Sequence, residues 1–177
     1  MNSEEFMRHW NYYLMLEEDL KNTQRYVEHC EDNCSTYSNE FAKIILLTCS
    51  EIEVILKKFG TIYVPTKALG NMKEYKENML KSQPYIVKAT TYIPYFSGCC
   101  PFEGWESARL SWWDDYTSIK HNRTANFSKA TLWNSIETLS ALLVLLNYLK
   151  HELEDFLTNP EICNLRSKYI RMGYFCR

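Results

Sequence analysis

The stretch Ser38-Asn39-Glu40-Phe41-Ala42-Lys43-Ile44-Ile45-Leu46-Leu47-Thr48-Cys49-Ser50-Glu51-Ile52-Glu53-Val54-Ile55-Leu56-Lys57-Lys58-Phe59-Gly60 decides the fold class. Phe41, Ile44, Ile45, Thr48, Ile52, Ile55, Leu56 and Phe59 recur at three and four residues, the period of one buried face of an α-helix. Ser38 is placed to cap the first turn and Glu40 to favour its positive end. Lys57 and Lys58 meet the negative end, and Gly60 is expected to supply a left-handed exit.

Outward from this helix the same signals recur. Ser3, with Glu4 and Glu5 behind it, predicts a start, and Phe6, Trp10, Tyr13, Leu16, Leu20, Thr23 and Val27 predict a first helix to about residue 31. Asn71 and Glu74 predict a shorter helix to about Lys81, stopped by Pro84. Residues 85–102, rich in β-branched and aromatic side chains but interrupted by Pro94, predict an irregular or β-hairpin excursion. A helix is expected from about Ser107 to His121. A long Leu-rich one should run from Asn126 or Ser128 to Leu157, followed by a short tail helix. With only five Gly and five Pro in 177 residues, the expected fold is all-α, mainly an antiparallel helical bundle, in a single domain over 1–177.

Charge and cysteine usage narrow the function classes. The formal net charge of -2 excludes a globally basic nucleic-acid binder, but residues 1–58 carry 6 Lys/Arg against 11 Asp/Glu and residues 59–177 carry 14 against 11. After Glu161 come Arg166, Lys168, Arg171 and Arg177 with no acid, a contact for phosphate or for the acidic front of a second copy, unless it is simply a solvated face. Seven cysteines, an odd number, and no secretory leader predict a reducing cytoplasm, which makes the sequons at Asn33, Asn122 and Asn126 coincidental. The longest apolar run, Ala141 to Leu146, falls far short of the ~20 residues a bilayer needs, so no membrane span is expected.

The densest chemical cluster is Trp112-Trp113-Asp114-Asp115-Tyr116-Thr117-Ser118-Ile119-Lys120-His121-Asn122-Arg123. Trp112, Trp113 and Tyr116 read as core or dimer-interface aromatics. Lys120-His121-x-Arg123 sets an imidazole between two cations at a helix end. Such a trio suits metal-independent RNA cleavage, His121 moving a proton and Arg123 or Lys120 holding phosphate. Cations completing the helix dipole are the plainer reading.

Other groupings carry less chemistry. His29-Cys30-x-x-x-Cys34 offers three zinc ligands without a fourth, Cys99-Cys100 has no zinc-site spacing, and Asp114-Asp115 diverge around the helix. No metal is expected at any of them. Glu17-Glu18-Asp19 reads as a solvated face. No Gly-rich phosphate loop, nucleophile elbow or zincin motif is present, and no cofactor is expected.

The order of helices, Ser50-Glu51-Ile52-Glu53 in the second helix and the Trp112-Trp113-x-x-Tyr116-x-x-x-Lys120-His121-x-Arg123 block before a Leu-rich helix resemble the HEPN superfamily of all-helical bacterial proteins, over about residues 4–157. The resemblance implies a homodimer of helical bundles and an RNA-binding or RNA-processing role in a toxin-antitoxin or phage-defence system, with RNA or a cognate antitoxin as partner. It also implies an acid, Glu51 or Glu53, assisting the catalytic His121, Arg123 and Lys120. The family's Arg-x(4-6)-His motif is absent: Arg109 lies too far before His121, and Arg25 and His29 are too close together on the wrong helix. Two readings therefore stand: a metal-independent ribonuclease or RNA binder, and a catalytically silent interaction protein in which the same residues form a structural ion-pair network.

Overall fold

The computed structural model describes residues 1–153 and 158–173. Helix α1 is Ser3–Asn22, and its cap is Asn2, one residue earlier than expected, whose Oδ1 accepts from the Glu5 amide at 2.9 Å. The helix stops at Asn22 and not near residue 31. Thr23 turns back to donate its hydroxyl to the Leu20 carbonyl at 2.6 Å, and the chain continues as a 3-10 turn, Thr23–Arg25. Helix α2 is Asn39–Tyr63, capped by Ser38 as the sequence predicts.

Gly60 does not end α2; the helix continues through it. Its missing side chain serves close packing instead, since a Cβ there would lie 2.9 Å from Leu69 Cδ1. Helix α3, Met72–Ser82, has the expected reciprocal cap: Asn71 accepts from the Glu74 amide, and the Glu74 carboxylate accepts from the Gly70 amide.

The aromatic excursion forms a 3-10 turn, Pro84–Lys88, and a short strand β1, Thr91–Tyr92, bridged to Cys99 in a small hairpin. Tyr95 at φ 69° and Gly98 at φ 129° make the reversal. Helix α4 is Ser111–His121, later in its start than expected because residues 101–107 are taken up by turns. Helix α5 is Leu132–Lys150 with Thr131 as cap, whereas Asn126 and Ser128 belong to the turn before it; it ends short of the expected Leu157 because the His151 amide turns to the Tyr148 carbonyl, and Leu157 and Arg177 themselves lie outside the described residues. A four-residue helix α6, Pro160–Cys163, precedes strand β2, Arg171–Met172, which pairs antiparallel with β1.

Helix α5 is buried on nearly every side and forms the axis of the core. By length and composition it is apolar enough to cross a membrane, more than its short unbroken apolar run suggests, but 83% of that window is buried inside the fold. Within the mainly antiparallel bundle, α2 and α5 share one direction. Phe41 meets Ser135 at their starts, and Tyr63 donates to Glu152 at their ends. Helix α1 runs opposite to α2, with Glu5 on Lys58 and His9 on Glu51.

Two buried polar groups fasten segment 167–170 to α1 and the turn after it. Glu17, expected on a solvated face, is 1% exposed. Its carboxylate accepts from the backbone amides of Lys168 (3.0 Å), Tyr169 (3.1 Å) and Ile170 (2.8 Å) and from the hydroxyls of Tyr13 and Ser167. Five donors offset the cost of taking this charge out of water. Burial, and the Glu17 charge beside it, push the Tyr13 phenol well above its ordinary value. His29, fully buried, contacts the Thr23 hydroxyl at 2.8 Å and the Tyr169 hydroxyl at 2.9 Å.

Candidate functional site

Helix α4 presents two faces of different character. Trp112 and Tyr116 point inward, 1% and 4% exposed, and the Trp112 indole donates to the Pro101 carbonyl at 2.7 Å while its ring meets Phe102 and Trp113 edge-on. They are core residues of this chain. Trp113, a neighbour in sequence, is only half-buried and forms a wall of a cavity of about 370 Å³ that Lys73, Lys76 and Arg109 also line. Arg109 is paired with Asp114 at 2.7 Å and Lys76 donates to the Ala108 carbonyl, while the Lys73 ammonium has no hydrogen-bond or ion-pair partner among the described residues.

Trp113, Thr117, Lys120 and His121 follow the same side of α4, so the cavity and the Lys120–His121 pair occupy the two ends of one helical strip about 12 Å long, with Arg123 two residues past the helix end. Lys120, His121 and Arg123 are all exposed. Lys120 lies over the Tyr116 ring, 5.5 Å from its centre, and the side chains of His121 and Arg123 have no hydrogen-bond or ion-pair partner among the described residues. Lys129, just beyond them, is held by Asp115 at 3.0 Å and the Ser118 hydroxyl at 2.9 Å.

The two acids expected to support the trio are engaged elsewhere. Glu51 contacts His9 Nδ1 at 2.5 Å between α1 and α2, and Glu53 pairs with Lys57 one turn along α2 at 2.8 Å. Lys120, His121 and Arg123 are not part of a buried ion-pair network, and Glu51 and Glu53 do not orient them.

At the other groupings the surroundings determine the chemistry. Both ring nitrogens of His29 are used. The Thr23 hydroxyl already donates to Leu20, so it accepts from His29 Nε2–H, which leaves Nδ1 to accept from Tyr169. Burial pushes the imidazole down to about 4, and burial with the charges of Tyr95 and Glu28 pushes Tyr169 up to about 12. Among the described residues no group of three or more His, Cys, Asp or Glu is placed to hold a metal ion. Asp114 and Asp115, which diverge around the helix as expected, are half-buried and ion-paired to Arg109 and Lys129 respectively.

Glu137, one turn from Trp133 on α5, escaped the sequence reading. Burial, then the charge of Asp115, pushes its carboxyl up to about 7, against a hydrogen bond from Trp133. Burial, with Glu137 nearby, also pushes the Cys99 thiol up to about 12, so this cysteine is an inert core thiol. Lys73, Lys76 and Arg109 escaped it too, because they reach the Trp113 cavity from α3 and from the turn before α4. No family model matches this chain, and no match was found among the curated proteins or among the solved structures.

Proposed function

We propose that the protein is a HEPN-like RNA-binding protein of a bacterial defence or toxin system, which lays single-stranded RNA along the exposed strip of α4. One observation carries this reading: a half-buried tryptophan flanked by three cations stands at one end of the strip, and an exposed His and Arg, neither engaged by a described residue, stand with Lys120 at the other. Aromatic faces stack bases of any identity and cations track phosphates, which together are the elements of single-strand recognition.

In this reading Arg123 and Lys120 hold a phosphate, and the His121 imidazole takes the ribose 2′-hydroxyl proton as that oxygen bonds to phosphorus and gives it to the 5′ oxygen that leaves as the P–O bond breaks, a sequence that needs no metal. The acid that the resemblance implies is replaced by nothing on α2, so catalysis rests on His121 alone and is slow. A second copy of the chain meeting the first across α4 would complete the cleft, and the protein would work in the cytoplasm, where its thiols stay reduced.

The test is binding of a fluorescein-labelled 20-nucleotide single-stranded RNA, followed by anisotropy at 50 mM salt, then cleavage of the same RNA in chelator. Trp113→Ala should weaken binding about tenfold or more, the worth of one stacked base. His121→Ala should leave binding nearly intact and abolish cleavage. Absence of RNA binding by the folded wild type would overturn the proposal. Binding without cleavage would leave an RNA-binding protein and remove the nuclease.

A further inference from the structure

A second cavity, of about 400 Å³, lies away from α4 between α1, α5 and segment 165–172. Its walls are apolar where Trp10, Leu143 and Met172 contribute, and its rim carries Arg166 and Arg171, with Asn147 beside them. Arg166 spends one Nη on the carbonyls of Cys163 and Leu165, which leaves its other guanidinium nitrogens without a partner among the described residues. The Arg171 guanidinium has no hydrogen-bond or ion-pair partner among the described residues. Behind Asn147, Lys150 is 6% exposed and donates to the Asn147 amide oxygen at 3.3 Å.

The surroundings of these cations point to an anion. Burial first, and the charge of Arg166 second, lower the Lys150 ammonium from its ordinary value. No carboxylate lines the cavity among the described residues. The floor is rigid, because the Glu17 carboxylate and His29 hold segment 167–170 from below. Two guanidiniums lining one cavity match two negative charges, which a phosphate monoester carries and a carboxylate does not.

We propose that this cavity binds a small phosphate monoester with an apolar body, the phosphate held between Arg166 and Arg171 and the body against Trp10 and Leu143. The site is independent of the RNA strip and uses none of its residues.

The full chain would be titrated calorimetrically with phenyl phosphate, inorganic phosphate and benzoate. Phenyl phosphate is expected to saturate a single site at least tenfold more tightly than either of the others, because only it fills both the charged rim and the apolar floor. Arg166→Gln and Arg171→Gln should each weaken it tenfold or more, with ligand-free melting temperatures showing that both variants are folded. Lys67→Gln, an exposed residue between α2 and α3, should bind as wild type does. Absence of phenyl phosphate binding, benzoate binding equally well, or unchanged affinity in both folded arginine variants would each overturn the assignment. Should Arg171→Gln fail to fold because it sits in β2, Arg166→Gln alone decides.

Discussion

Acidification should loosen this protein through one residue, His29. The imidazole is fully buried, and its two nitrogens are committed to Thr23 and Tyr169 in the neutral form. Its folded pKa is about 4, against an ordinary value of 6.5. Between those values the unfolded chain takes up a proton that the folded chain refuses, so stability is fully present above pH 6.5 and is lost as pH falls toward 4. The loss from this group amounts to about 2 kcal/mol at pH 5 and about 3 kcal/mol below pH 4. Urea unfolding of wild type and His29→Gln at pH 7.5 and pH 5 measures it, since every other titrating group is common to both proteins. The wild type should lose about 2 kcal/mol more than the variant over that interval. Equal losses, or a His29 ring that titrates near 6.5 by NMR in the folded protein, would refute the reasoning.

Three further outcomes follow from the packing and the charge. Glu17→Gln keeps the shape but replaces a charged acceptor of three backbone amides with an amide bearing its own donors; it should cost about 2 to 4 kcal/mol in urea unfolding and open segment 167–170 to proteolysis. Gly173→Ala would drive a methyl group into the Tyr92 ring and the Thr90 hydroxyl, and should cost about 1 to 3 kcal/mol by unpairing β2 from β1, read as faster exchange of the residue-173 amide, which donates to the Thr90 carbonyl. Lys120→Ala with Arg123→Ala should reduce the slope of log affinity for single-stranded RNA against log salt by about 1.4, roughly 0.7 for each phosphate no longer neutralised.

How far the sequence could be read depended on the range of the interactions. The start and the buried face of helix α2 were legible, because cap and stripe are local signals, but its end was not: Lys57 and Lys58, expected at the negative end, lie before the last turn of a helix that runs on to Tyr63, and Gly60 does not stop it. A glycine that ends a helix and one that admits a neighbour's side chain look alike until Leu69 is in place. The end of α1 turned on a single hydroxyl, Thr23, folding back on Leu20. Among the candidate residues, the position of Lys120, His121 and Arg123 at an exposed helix end was readable from spacing, as was the apolar role of Trp112 and Tyr116. Glu17 stands in an acidic run and reads as solvated; its amide partners lie about 150 positions later, beyond any local pattern. Lys73, Lys76 and Arg109 likewise come to Trp113 only because α3 and the turn before α4 line one cavity in the folded chain.

The fastening of Glu17 to segment 167–170 also bears on how the chain reaches its native state. The clamp spans 153 positions, and closing so long a loop is an entropic cost that must be met before any of its hydrogen bonds is gained. Helices α1, α2 and α5 can collapse on their apolar faces first, since that packing rewards early burial, but until residues 167–170 arrive the Glu17 carboxylate must stay wet and the end of α1 incompletely packed. Docking of this segment is therefore a late step, set by its long range in sequence. Refolding should show it as protection at Lys168 to Ile170 lagging behind protection in the middle of α5.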